Sequence, residues 1–351
     1  MTFVLKSLLP YFLLSLFISV SLFPLVRYLS KKFKWMDIPD ERKIHTTPVP
    51  RIGGVMIFIS FMVTLFIYKK THPDMYILNR TFSDVGFVLS SSAAFLLGFI
   101  DDVMGIRALK KLALQIAIGF AVAFAGLIIK QVTVLGLVVN FGMMSYLITA
   151  LWVVALLNAV NLIDGMDGLA SGIMIISLGF TFTISLIESN YMVACLSSIL
   201  MGSILGFYIF NFPPAKIFMG DSGSYFLGCI YAMIAMMGMK KAGMAIMMSI
   251  PLVLLLIPLA DVIYIMTRRV KRHNGIFHAD KNHIHHRLLS LGFSAMQINF
   301  LIYLICTVLG LIALLIALTG GKFGLLFFFL IVCLITAGFA VVRILERHHY
   351  K

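Results

Sequence analysis

Stretches of about 20 mostly apolar residues, the length that crosses a bilayer as a helix, recur along this chain and leave room for little else. Eleven lie near 5–26, 52–68, 84–100, 111–129, 143–161, 168–187, 191–210, 222–240, 244–266, 298–318 and 323–342. The runs are continuous and far longer than the alternating segments of about 10 residues that build membrane β-barrels. The expected fold is all-α: a polytopic integral membrane protein with about 11 transmembrane helices, forming a single transmembrane domain over 1–351. Apolar residues make up 61% of the chain and charged residues 12%, about half the charge of a soluble domain. That balance excludes a water-soluble globule, a disordered chain and a secreted disulfide scaffold. The first run is too long for a signal-peptide core, contains Pro24 and lacks a small-x-small cleavage site, so it reads as a retained helix. The four cysteines all fall in expected spans without a CxxC pair, as small apolar fillers do.

The few charges are placed unevenly. With the N-terminus outside and the C-terminus cytoplasmic, 20 of the 28 Lys and Arg residues fall on the inner side, mostly in loops near 27–51, 101–111 and 267–297. Eleven of the 14 acidic residues sort to the same face, leaving only Asp74, Asp84 and Glu188 outside. Acids contribute little to topology, so their one-sidedness needs a functional cause. The net charge of +14 reads as an orientation signal plus a phosphate-handling surface, with no nucleic acid implied.

Five inner-face segments carry the polar chemistry. Asp101-Asp102 closes the third run, where adjacent carboxylates repel and demand a cation, a proton or both; a lone pair of this kind could also be a solvated helix end. Asn158, Asn161, Asp164 and Asp167 recur every third residue, a spacing that places them on one face of a helix or near-helix, broken by Gly165 and Gly168. In the loop near 211–221, Asn211, Lys216 and Phe218 offer an amide, a cation and an aromatic beside Asp221: parts for a nucleotide, in a segment where Asp221-Ser222 would cap the eighth helix. His278, His283, His285 and His286 suggest a metal at first sight, but the interleaved Lys281 and Arg287 favour a phosphate patch over zinc. Finally, the Pro- and Gly-rich loop 37–54 brings Lys43, His45 and Arg51 to the inner face.

Together, and in this order along nearly the whole chain, these segments resemble the polyprenyl-phosphate N-acetylhexosamine-1-phosphate transferase family. The Pro50-Arg51-Ile52-Gly53-Gly54 and His283-Ile284-His285-His286-Arg287 runs are most similar to the bacterial branch that moves GlcNAc-1-phosphate from UDP-GlcNAc to undecaprenyl phosphate. That reaction is the first membrane step of teichoic acid and O-antigen-type envelope glycans. The resemblance implies an Mg²⁺-dependent enzyme, with Mn²⁺ as a substitute, in the bacterial inner (cytoplasmic) membrane with its active site on the cytoplasmic face. Its implied partners are UDP-GlcNAc, undecaprenyl phosphate and membrane lipids. Carried over by motif, Asp221 is the principal metal ligand and Asn158 a second, and Asp101 and Asp102 lie by the metal or act as base. Asn161, Asp164, Asp167, Asn211, Lys216 and Phe218 would line the nucleotide and sugar-phosphate pocket. Lys43, His45, Arg51, His283, His285, His286 and Arg287 would hold phosphates or the sugar.

Other readings compete. The phospho-MurNAc-pentapeptide transferases of the same family are the runner-up, although their typical PTMGG-type loop and triple histidine differ from this chain. An ion-coupled secondary transporter would put acids near the bilayer midplane within repeated halves, and no repeat is visible here. A structural scaffold leaves the one-sided carboxylates unexplained. The Gly202/Gly206 pair suits either a homodimer or packing within one chain.

Overall fold

Apolar runs of this length satisfy their backbone hydrogen bonds internally as helices, the only open-chain solution in hydrocarbon. The computed structural model, which describes residues 2–38, 47–73, 81–134, 137–242 and 292–319, follows that rule. Its long helices are α1 (Thr2–Lys32), α2 (Gly54–Thr71), α3 (Thr81–Met104), α4 (Ala108–Phe124), α5 (Ser145–Ile163), α6 (Leu169–Ile187), α7 (Tyr191–Asn211), α8 (Gly220–Ala242) and α9 (Ala295–Leu318). Seven of them are long and apolar enough to cross a membrane, and the chain is an all-α integral membrane protein. Nine of the eleven expected spans coincide with these helices; those near 244–266 and 323–342 lie outside the described residues.

The helices run further than the hydropathy suggests. The loop expected from residue 27 begins only after Lys32, and the one expected over 101–111 shrinks to residues 105–107, so Asp101 and Asp102 belong to the last turn of α3. Polar residues end the apolar run without ending the helix, which continues into the interfacial layer. Two small antiparallel hairpins were not expected. β1 (Met36–Asp37) pairs with β2 (Val49–Pro50), and β3 (Gln131–Val134) with β4 (Leu137–Asn140), through registers Met36↔Pro50 and Val132↔Val139.

Residues 222–238 of α8 are buried on every side, as expected of a helix that is apolar all round. It packs against α2, α3 and α5. By contrast α4 leaves Leu109, Leu112, Leu114 and Phe124 exposed, a face suited to lipid. The Gly202/Gly206 stripe is occupied within the chain: a Cβ at either position would strike the α1 backbone at Phe12 or Leu16. Ser15 and Ser19 of α1 donate to the Ile199 and Ser203 carbonyls at 2.6 and 2.8 Å across that seam. Small residues let the two backbones touch.

Candidate active site

The site is assembled around the start of α8. A helix N-terminus leaves backbone N–H groups without partners and carries partial positive charge. Here the Asp221 and Ser222 N–H groups donate to Asp102 Oδ1 and Oδ2, both at 2.9 Å. Asp102, in the last turn of α3, therefore caps α8 across 119 residues of sequence; the local Asp221-Ser222 cap expected from the sequence is not the one used. The Asp102 side chain has no exposed surface, and Arg51 Nε lies 3.3 Å from its Oδ1. Glycines make the close approach feasible. A Cβ at Gly98 would lie 2.1 Å from the Asp221 carbonyl oxygen, and one at Gly54 2.1 Å from the Gly223 nitrogen. Gly220 starts the helix at φ +72, a left-handed conformation glycine adopts without strain. The segment before α2 is laced to the one before α8: Phe218 N–H donates to the Pro50 carbonyl at 2.8 Å, and Gly53 and Gly54 N–H donate back to Phe218 and Met219.

This frame presents the Asp221 side chain to an open cleft of about 720 Å³, lined also by Arg51, Asp101, Lys111 and Asn161. Asn161 Nδ2 donates to Asp221 Oδ1 at 2.8 Å and to Ser224 Oγ at 3.0 Å. Asp101 is within hydrogen-bonding reach of Asp221. Its Oδ1 accepts from Ile106 N–H at 2.6 Å, and its Oδ2 pairs with Lys111 Nζ, which also lies 3.3 Å from Asp221 Oδ2. Nearby, in the turn after α5, Asp164 accepts from Gly220 N–H. Its carboxyl is raised well above the usual carboxylate range, first by desolvation and then by the carboxylates of Asp102, Asp221 and Asp167. Among the described residues no three His, Cys, Asp or Glu side chains converge as a ligand cluster. The adjacent Asp101–Asp221 pair nonetheless fits Mg²⁺, which takes one or two carboxylates and fills its remaining positions with water and substrate phosphate. Hard oxygens side by side, with a cation already drawn between them, are the right donor chemistry.

The remaining expected residues separate. Asn158 turns away: its Nδ2 donates to Gln115 Oε1 and to the Val154 carbonyl, both at 2.8 Å. Asp167 Oδ2 accepts from Ala215 N–H at 2.9 Å. Asn211, buried, ties α7 to the start of α6, accepting from Gly168 N–H and Ser171 Oγ and donating to the Ile217 carbonyl. Thus the shared face expected for Asn158, Asn161, Asp164 and Asp167 does not form. A spacing of three lags a 3.6-residue turn by about 60° each step, so even an unbroken helix would turn Asp167 away from Asn158. The helix also ends at Ile163. Phe218 is half-buried and engaged through its backbone, while Lys216 is exposed. Lys43, His45, His283, His285, His286 and Arg287 lie outside the described residues. Sequence reasoning missed Lys111 and Gln115. Lys111 was hidden among topological charges; its position four residues before the buried Gln115, one helical turn away, is too common a pattern to single out either.

The profile described as Glycosyl transferase family 4 matches residues 85–239, which hold Asp101, Asp102, Lys111, Asn161 and Asp221. The chain is 35% identical to a Bacillus subtilis (strain 168) protein named as a probable undecaprenyl-phosphate N-acetylglucosaminyl 1-phosphate transferase, over 84% of this chain and 80% of that one. It is 30% identical to an undecaprenyl-phosphate alpha-N-acetylglucosaminyl 1-phosphate transferase of Thermotoga maritima, over 77% and 78%. A phospho-N-acetylmuramoyl-pentapeptide-transferase of Clostridioides difficile is 29% identical over 86% and 95%. With these relatives aligned over most of their length and the carboxylate-bearing helix ends inside the matched region, the chain belongs to the polyprenyl-phosphate N-acetylhexosamine-1-phosphate transferase family.

Proposed function

We propose that this protein transfers GlcNAc-1-phosphate from UDP-GlcNAc to undecaprenyl phosphate, giving undecaprenyl-diphospho-GlcNAc and UMP. The observation that carries the reading is the Asp101–Asp221 carboxylate pair, set at helix ends of an apolar bundle and facing an open cleft. A lipid-borne acceptor reaches such a site from the bilayer and a nucleotide reaches it from water. The likeness to GlcNAc-1-phosphate transferases supports this donor over the pentapeptide. The proposal includes eleven spans, with the N-terminus outside and the C-terminus and site on the cytoplasmic side of the bacterial inner membrane.

In the reaction an oxygen of the lipid phosphate attacks the β-phosphorus of UDP-GlcNAc. The bond from that phosphorus to the bridging oxygen breaks, and UMP leaves with the bridging oxygen. Two anions must meet, so positioning and charge neutralisation carry most of the catalysis. Asp221 and Asp101 would hold Mg²⁺, which supplies that neutralisation at the diphosphate when bound. Asn161 fixes the Asp221 carboxylate by its 2.8 Å hydrogen bond. Asp102 keeps α8 in place through its two amide contacts, a positioning duty that leaves its oxygens engaged. Arg51 and, in the same proposal, Lys43, His45, His283, His285, His286 and Arg287 supply positive charge for substrate phosphates. The lipid phosphate is largely ionised at neutral pH, so direct attack needs no strong base.

The test supplies purified protein with radiolabelled UDP-GlcNAc, undecaprenyl phosphate and Mg²⁺. Labelled lipid is expected, and EDTA should abolish it. Failure to form labelled lipid by folded protein overturns the proposed donor; product formed only from UDP-MurNAc-pentapeptide moves the chain to the pentapeptide branch.

A further inference from the structure

Among the described residues, Lys111 is the cation in contact with both members of the carboxylate pair. Its ammonium pairs with Asp101 Oδ2 and lies 3.3 Å from Asp221 Oδ2. Asp101 and Asp221 are the residues that would hold a divalent ion, so the ammonium and the metal would compete for the same two carboxylates. Three further features bear on whether it stays. Lys111 is the fourth residue of α4, where the positive end of the helix dipole disfavours a cation. Its side chain keeps 26% of its surface exposed, so a path to solvent is open. Its four-carbon stem is flexible, unlike the planar guanidinium of Arg51, whose Nε already meets the buried Asp102.

We propose that Lys111 is a displaceable internal counter-ion. In the metal-free protein it holds Asp101 and Asp221 together against their mutual repulsion. When the divalent ion enters, the ammonium is released into the cleft, where the incoming substrate phosphates give it a new partner. The inference rests on the reading that Asp101 and Asp221 hold that ion, and it makes Lys111 a competitor of the metal as well as an aid to substrate. A merely structural salt bridge would stabilise the fold without touching metal affinity.

The experiment titrates Mn²⁺ into purified protein without substrate, reading free Mn²⁺ by electron paramagnetic resonance, for wild type, Lys111→Met and Lys111→Arg. Removing one competing charge from a partly exposed site should tighten Mn²⁺ binding roughly tenfold in Lys111→Met, while Lys111→Arg stays at or weaker than wild type. Thermal melting in parallel should show Lys111→Met destabilised in EDTA and restored by Mn²⁺, which replaces the missing charge. Should Lys111→Met fold poorly, the charge-balanced Asp101→Asn/Lys111→Met pair should melt in EDTA at a higher temperature than Lys111→Met alone. Unchanged or weaker Mn²⁺ binding by Lys111→Met overturns the proposal while leaving the metal reading intact. No Mn²⁺ binding by the wild type overturns both.

Discussion

Where α2 ends and α3 begins, Lys69 Nζ meets Asp84 Oδ2 at 2.8 Å, an ammonium directly against a carboxylate. At the opposite end of the same two helices, Asp101, Asp102 and Asp221 crowd together with only Lys111 and Arg51 in ion-pair contact among the described residues. Both ends need polar groups because both meet water. Among the described residues only one gathers more negative charge than its contacts neutralise, and there Asp102 draws on the backbone amides of α8 for support. On the proposed function, the difference separates charge that closes a structure from charge that a ligand would complete. An unbalanced carboxylate pair at a helix end costs stability, which a bound cation would offset.

Three substitutions test that contrast. The largest effect belongs to Asp221→Asn, which preserves size and the Asn161 side of the site while removing one charge. Turnover should fall by about 10³-fold or more, equivalent to about 4 kcal/mol of lost transition-state stabilisation, with the melting temperature nearly unchanged. A rate within tenfold of wild type would show that the unbalanced end is not the reactive one. Asp102→Asn comes next. Replacing a charged acceptor of two amides should cost about 1.5–3 kcal/mol of stability, seen as a lower melting temperature, and slow turnover roughly ten- to a hundredfold as α8 loosens. Loss of activity without any loss of stability would instead make Asp102 a direct participant. Lys69→Met should do least. A partly exposed pair contributes about 0–1 kcal/mol, so turnover should stay within twofold, and a larger loss would erase the distinction between the two ends.

Much of this was written in the chain. Long apolar runs located α1 to α9 because in hydrocarbon a helix leaves no unsatisfied backbone, and the one-sided acids pointed to the helix ends where Asp101, Asp102 and Asp221 gather. Periodicity misled where it was asked to join residues across a helix end: Asn161 reached Asp221, but Asn158 went to Gln115 and Asp167 to Ala215. Asn211, read as a pocket residue, proved to be a buried tie between α7 and α6. Partners 119 residues apart, such as Asp102 and the Asp221 amide, leave no local signature. Lys111 carried the same letter as every topological lysine, and only its neighbours distinguish it.

Gly98 illustrates how far such distinctions reach. It has no group to offer a substrate, yet the smallest side chain there would run into the carbonyl of Asp221. Random variants scored for activity would therefore mark position 98 as intolerant alongside the carboxylates themselves. Such a map records two kinds of necessity in one colour: atoms that take part in the reaction, and vacant space that allows those atoms to be where they are.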